Sequence, residues 1–212
     1  SAGALNSTGS PVISNTLFFR NIGGYQGAGA VAAGSSISLI GCRFEENETE
    51  ENGGALLLGD DLGTLGTIRG CLFLNNRARS AGAVDCQGIS SENFDDCTFI
   101  GNRAEKSEAG DGGFGGAVTL IYTTNIFTNC VFRDNFAEAA GGAILTSGQP
   151  DPENGNIFNF LTVRNCTFTG NTAGTTGGAI HATSESVSIR NSILWGNTPD
   201  QYDRDMSDSS IA

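Results

Sequence analysis

The sequence predicts an all-β fold, a single-stranded right-handed parallel β-helix of about seven coils, and three observations carry that prediction. A nine-residue motif recurs seven times in the 212 residues, every copy closes on Asn, and a Gly-Ala motif follows the first six copies. Short motifs repeated every few tens of residues indicate stacked coils, because each unit can bury its apolar face only against its neighbours.

The nine-residue motif reads apolar, any residue, Asn/Gly/Asp, a small residue or Cys, any residue, Phe, two further residues, and Asn. Its content of Thr, Val, Ile and Phe, closed by Gly and Asn, is typical of short strands bounded by turns. The closing Asn residues lie 26 to 36 positions apart, which places the insertions in loops. The seven copies begin at Ile13, Leu39, Ile68, Phe94, Phe127, Val163 and Ile189.

The third motif position is expected to be a corner of the coil. The Cys and Phe positions are two residues apart and share one face of a strand, but the opening apolar residue lies five before Phe, which breaks that parity. All seven residues at the break tolerate a left-handed backbone, so each coil can turn there. They are Asn15, Gly41, Gly70, Asp96, Asn129, Asn165 and Asn191.

Stacking converts equivalent motif positions into three columns with structural roles. The Phe column should stack in the core, and the Asn column should line a turn, bonding backbone groups and the amides above and below. The Phe column is Phe18, Phe44, Phe73, Phe99, Phe132 and Phe168, completed by Leu194. The Asn column is Asn21, Asn47, Asn76, Asn102, Asn135, Asn171 and Asn197.

The third column consists of cysteines that are expected to fill small spaces inside the solenoid. Successive coils lie about 4.8 Å apart, so disulfides between neighbouring coils are the alternative. Cys86 lies outside this column and is expected to face inward from another strand. The column consists of Cys42, Cys71, Cys97, Cys130 and Cys166.

The pairing of Gly-Gly-Ala-apolar with Phe-x-x-Asn resembles the repeats of chlamydial polymorphic outer membrane proteins and related bacterial β-helix surface proteins. The motif occurs as GGAL at 53–56, GGAV at 115–118, and GGAI at 141–144 and 177–180, and the resemblance covers about residues 10–197. It implies a secreted, surface-displayed β-helix used for adhesion. That family has no shared catalytic residues to carry over.

The charge of the chain argues against two classes of partner. Asp and Glu number 23 against 11 Lys and Arg, which gives a net charge of -12. Such an acidic chain is repelled by the phosphate backbone of nucleic acids and by anionic membrane surfaces. No apolar run approaches the roughly 20 residues of a membrane span, so neither nucleic-acid binding nor membrane insertion is expected.

The position after each Gly-Ala-apolar unit should face outward, where a β-helix enzyme would carry its catalytic groups. Only Asp85 and His181 titrate in this row, and at three coils apart they are separated by about 14 Å. That distance is too long for a shared proton transfer and exceeds the roughly 5–9.5 Å between glycosidase carboxylates. The row is Ala32, Leu57, Asp85, Thr119, Leu145 and His181.

No catalytic residue, cofactor site or metal site is therefore predicted. The one metal alternative is calcium, for which the acidic residues near the end of the sequence offer oxygen ligands without matching a known calcium loop. These residues are Asp200, Asp203, Asp205 and Asp208.

We expect a non-catalytic extracellular protein, either a structural subunit or a surface adhesin, with a polysaccharide lyase or glycoside hydrolase as the alternative, because fold alone does not fix function. The expected partners are further copies of the chain, forming a filament end to end, or a host or cell-surface ligand. We expect one domain over 1–212, with coils over about 11–197, an N-terminal flank 1–10 and an acidic tail 198–212. The candidate assembly contacts are outward apolar residues that follow the Phe column: Phe19, Leu74, Ile100 and Trp195.

Overall fold

The computed structural model describes residues 2–24, 27–34, 37–59, 65–88, 91–148, 160–183 and 186–205. Every regular element in these ranges is a β-strand, and strands of successive coils pair in parallel into four sheets, which we name A to D. Sheets B and C each contain seven strands, one for each copy of the motif. The predicted parallel β-helix is confirmed. None of the described residues belongs to a helix long and apolar enough to cross a membrane.

The strand bounds follow the coils in order. Sheet A contains β1 (Leu5–Ser7), β4 (Val31–Ala33), β7 (Leu56–Leu58), β11 (Val84–Gln87), β15 (Val118–Ile121), β19 (Ile144–Ser147), β23 (Ile180–Thr183) and β26 (Tyr202–Asp205). Sheet B contains β2 (Val12–Ser14), β5 (Ser38–Ile40), β8 (Leu65–Arg69), β12 (Ser91–Asp95), β16 (Thr124–Thr128), β20 (Phe160–Arg164) and β24 (Ser186–Arg190). Sheet C contains β3 (Leu17–Phe19), β6 (Arg43–Glu45), β9 (Leu72–Leu74), β13 (Thr98–Ile100), β17 (Val131–Arg133), β21 (Thr167–Thr169) and β25 (Ile193–Trp195). Sheet D contains β10 (Arg77–Ala78), β14 (Arg103–Ala104), β18 (Phe136–Ala137) and β22 (Thr172–Ala173).

The corner between sheets B and C lies where the break in parity predicts it. All seven residues at that position have positive φ, from 50° at Asn15 to 61° at Gly41 and Gly70. A second left-handed corner, which the motif analysis missed, directly precedes the Asn column. It consists of Arg20, Glu46, Asn75, Gly101, Asp134, Gly170 and Gly196.

The Phe column forms a continuous aromatic stack along the core. Neighbouring rings from Phe18 to Phe168 lie nearly parallel, with centroids 4.6–5.1 Å apart. A second stacked pair from sheet B, Phe94 and Phe127, meets Phe99 at a steep angle with centroids 6.1 and 6.3 Å away. Aromatic rings from two sheets therefore pack against one another in the central coils of the core.

The Asn column forms a hydrogen-bonded ladder, as predicted. Asn102 is typical, because its Nδ2 donates to Asn135 Oδ1 at 2.9 Å and to the Phe73 carbonyl at 3.0 Å. Its Oδ1 accepts from the backbone N and the Nδ2 of Asn76, both at 3.0 Å. Each interior amide thus uses both donors and both acceptor positions, which allows it to be fully buried without penalty.

The coiled region extends beyond both predicted boundaries. Residues expected in the N-terminal flank form β1, which pairs with β4, and residues expected in the acidic tail form β26, which pairs with β23. Both segments are polar, and each becomes a strand because the free edge of sheet A offers unpaired backbone groups. Sheet A therefore has eight strands, one more than sheets B and C.

The aromatic stack predicts a large cost for shortening a central ring. Phe99→Ala should lower the free energy of unfolding by about 3–5 kcal/mol, because the site loses burial and leaves a cavity between fixed coils. Urea denaturation monitored by circular dichroism measures this change. Phe19→Ala is the matched control, since that ring is 45% exposed and outside the core. Equal losses for the two variants would contradict the stacking role.

The amide ladder predicts that Asn102→Leu is destabilising although it adds apolar surface. The change removes the acceptor of two buried Asn76 N–H groups, the donor to the Phe73 carbonyl and one of the two donors to Asn135 Oδ1, at about 1–3 kcal/mol for each group left unsatisfied. We expect a loss of about 3 kcal/mol or more in urea denaturation. Asn93→Leu, on the outward side of β12, serves as control, and a parent-like Asn102→Leu variant would refute the ladder's role.

Candidate functional site

The outer row of sheet A is less accessible than the sequence suggests. Its side chains face away from the core, as expected, but Asp85, Thr119, Leu145 and His181 are buried. The turns before β15 and β23 fold back over this face, where Thr119 Oγ1 donates to the Phe114 carbonyl at 3.2 Å and His181 Nδ1 lies 3.0 Å from Thr176 Oγ1. At Gly177 an added Cβ would lie 2.6 Å from the Cβ of His181, so only glycine permits this close cover.

Asp85 is the most unusual residue in this row. It is 1% exposed, its Oδ2 accepts a hydrogen bond from Gln87 Nε2 at 2.6 Å, and its Oδ1 has no partner among the described residues. Burial raises the pKa of its carboxyl to about 7, against the opposing effect of the Gln87 hydrogen bond. The protonated form is favoured because the surroundings do not compensate a full negative charge.

His181 lies at the other end of the row and has its own partners. Its Nδ1 is 2.9 Å from Asp203 Oδ2 and 3.0 Å from Thr176 Oγ1. In the strand register, Thr119 and Leu145 separate it from Asp85, as the three-coil prediction requires. The two titratable side chains of the row are therefore not brought together, and neither can pass a proton to the other.

The coil that contains Asp85 also holds a buried polar group inside the solenoid. Glu92 is 4% exposed, its backbone N donates to Asn125 Oδ1 at 3.3 Å, and Asn125 Nδ2 donates to Thr123 Oγ1 at 2.5 Å. Burial, followed by the charges of Glu92 and Asp85, raises the pKa of the Cys86 thiol. The repeated motifs do not predict this cluster, but strand parity counted back from Phe94 places Glu92 on the inward face.

A charged groove of about 570 Å³ runs beside sheet D. Arg77 lies between two carboxylates, 2.8 Å from Glu48 and 2.7 Å from Glu105. Partial burial opposes ionisation of Glu105, but the hydrogen bonds from Arg103 and Arg77 prevail and lower its pKa. Glu105 therefore stays ionised and cannot serve as the protonated acid that glycoside hydrolysis requires.

The cysteine column lies inside the core, as predicted. All six cysteines are free and buried, including Cys86, which faces inward from sheet A. Contact with Cys97 and burial raise the pKa of the Cys71 thiol, which favours the unreactive thiol form. Across the described residues, no group of three or more His, Cys, Asp or Glu side chains is arranged to hold a metal ion.

The residues considered for calcium have other partners where the structure describes them. Asp200 Oδ1 accepts hydrogen bonds from the backbone N of Gly177 at 2.7 Å and of Gly178 at 3.2 Å, and Asp203 contacts His181. The backbone of Asp205 belongs to β26. Asp208 lies outside the described residues. The two described carboxylates thus attach β26 to the preceding coil.

The four candidate assembly residues share one outward column on sheet C. The column begins with Phe19, ends with Trp195, and passes through Leu74 and Ile100 in continuous register. Trp195 is 76% exposed and Phe19 is 45% exposed, whereas Leu74 and Ile100 are half-buried. Further exposed apolar side chains lie on the same two terminal coils: Val12, Leu17, Ile22 and Ile193.

Comparison with known proteins identifies one family. The family model described as "Right handed beta helix region" matches residues 4–198. No curated protein and no solved structure gave a significant match. The matched span agrees with the coils seen in the structure.

The buried carboxyl of Asp85 predicts a pH-dependent stability. Its folded pKa of about 7 exceeds the ordinary value of 3.8, so the folded state retains this proton while the unfolded state releases it. The stabilisation is complete below about pH 4 and is lost as pH rises to about 7, by up to about 4 kcal/mol. Asp85→Asn should remove this slope and be the more stable protein at pH 8.

Urea denaturation at pH 5, 6, 7 and 8 measures the slope for the parent and for Asp85→Asn. Glu50→Gln is the control, because Glu50 is exposed and should leave the parent slope unchanged. An identical slope in the parent and in Asp85→Asn would show that Asp85 is ionised throughout this range.

Proposed function

Since this chain belongs to the right-handed β-helix family, whose members include both surface proteins and polysaccharide-degrading enzymes, we propose that it is a non-catalytic structural protein of the extracellular surface. In this proposal, copies of the chain associate through their terminal coils. These contacts join rigid β-helices end to end. The resemblance of the Gly-Gly-Ala and Phe-x-x-Asn repeats to chlamydial polymorphic outer membrane proteins supports a secreted location and a surface role.

The observation that carries the proposal is the placement of exposed aromatic residues at both ends of one outward column. Trp195 on the last complete coil and Phe19 on the first are the exposed apolar members, while the inner apolar members Leu74 and Ile100 are half-buried. Large exposed apolar side chains indicate contact surfaces, and Trp is the residue most enriched at binding hot spots. Adhesion to another cell surface would use this same column.

The charge environment of the carboxylates favours the structural role over the enzyme alternative. In the groove beside sheet D, Arg77 and Arg103 neutralise Glu105, and on sheet A Asp85 is buried. A lyase or hydrolase needs a base or acid that can reach its substrate. The described carboxylate with the raised pKa is buried, and in the groove Glu48, Glu51 and Glu105 form ion pairs with arginines.

The proposal predicts that the full chain self-associates at high concentration and that Trp195→Asp weakens this association by about tenfold, as removal of a hot-spot aromatic does. Sedimentation equilibrium measures the dissociation constants. Tyr122→Asp is the matched control, because Tyr122 is 42% exposed but lies at a different corner.

Two results would contradict the proposal. One is that the full chain and a variant that lacks residues 200–212 both stay monomeric at high concentration. The other is release of reducing or unsaturated ends from acidic polysaccharides, incubated with the protein with and without calcium, which would establish the enzyme alternative.

A further inference from the structure

Strand β26 occupies the position at which another copy would have to begin. Sheets A, B and C start together with β1, β2 and β3, but at the other end sheet A extends one strand beyond β24 and β25. A second copy stacked in register on β24 and β25 would place its β1 against β23. In this chain β23 already pairs with β26, through Ile180–Tyr202 and His181–Asp203.

The residues around β26 also satisfy the polar groups that a next coil would satisfy. Asn197 donates from Nδ2 to Gln201 Oε1 at 2.7 Å, where every earlier Asn of the ladder donates to the next Asn. Gln201 Nε2 returns a hydrogen bond to the Asn197 carbonyl at 3.1 Å. The Gln201 amide therefore takes the place of the next Asn side chain and ends the ladder.

The inward side of β26 differs from that of every earlier strand of sheet A. Its register places Tyr202 beside Ile180 and Arg204 beside Ala182, both of which are core residues. At the corresponding positions β1 has Leu5 and Ser7, opposite Val31 and Ala33. Arg204 is exposed at this end of the solenoid, and a charge at an inward register position of an edge strand discourages a further strand from pairing, so β26 has the character of a cap.

The first coil offers the groups that would fit the end of the solenoid if β26 were absent. Translating the internal register by one coil places Phe18 on Leu194, Ile13 on Ile189 and Asn21 on Asn197. Ile13, Ile189 and Leu194 pack against the core but are only partly buried. No described residue donates to Asn21 Oδ1, although Asn21 donates to Asn47.

We propose that residues 200–205 form a releasable cap that holds the chain back from end-to-end stacking, and that a second copy of the chain is the partner that replaces it. The incoming β1 takes the place of β26 on β23, and the incoming Asn21 Oδ1 accepts the Asn197 hydrogen bonds that Gln201 now accepts. This inference rests on the proposed association through terminal coils. It specifies the register of that association and the segment that limits it.

The test compares the full chain with a variant that lacks residues 200–212, by sedimentation velocity over a range of concentrations. The shortened chain should associate about tenfold or more tightly than the full chain, into particles whose mass increases in whole copies. Circular dichroism establishes that it remains folded. Asp200→Ala combined with Gln201→Ala keeps the chain length and should strengthen association in the same direction, so it decides the question if the shortened chain does not fold.

The register is tested by cross-linking in the shortened chain. Phe19→Cys combined with Trp195→Cys should give disulfide-linked multimers under mild oxidation, because in-register stacking places their Cα atoms about 4.8 Å apart. Ser14→Cys combined with Trp195→Cys is the control, since Ser14 lies on sheet B and should not cross-link.

Three outcomes separate this inference from the proposed function. If the full and shortened chains associate equally and both depend on Trp195, association through terminal coils stands and the cap is refuted. If neither associates, both are refuted. If the shortened chain associates more tightly but only the Ser14 pair cross-links, the in-register contact is overturned.

Discussion

The constraint on which the rest of the structure depends is the complete hydrogen bonding of the buried Asn ladder. A carboxamide has two donors and two main acceptor positions, and in the interior coils the neighbouring amides, the backbone N and the Phe carbonyl use all four. Any shift of one coil relative to the next would break several of these bonds in a buried environment. The ladder therefore fixes the register, and the fixed register aligns the Phe stack and the thiol column.

This dependence explains how much of the fold could be predicted. The ladder repeats in sequence because it repeats in space, so the Phe, Asn and Cys columns and the corner at Asn15 and its equivalents follow from motif spacing and strand parity. Strand β26 could not be predicted in that way. Its sequence is polar and carries no motif. It becomes a strand because the edge of β23, the backbone N–H groups of Gly177 and Gly178 and the side chain of His181 bind it.

The candidate site likewise contains some features that the sequence predicts and others that it does not. That Asp85 and His181 lie three coils apart follows from the period alone, but the burial of Asp85, which is 1% exposed, does not. Burial of an aspartate changes its preferred protonation state, which strand patterns do not report. The ionised state of Glu105 likewise depends on Arg103 of its own coil and on Arg77 of the preceding coil, at positions that vary between repeats.

A solenoid built by translation has ends that fit each other, because any residue that fits between two coils also fits between two molecules. Stability of the interior and control of assembly are then in conflict, since each improvement of the ladder also improves the contact between ends. The conflict can be resolved only by a local departure from the repeat at one end. Gln201, with its amide folded back onto Asn197, and Arg204, on the inward side of β26, are departures of this kind. They satisfy the last coil without offering the same surface to another molecule.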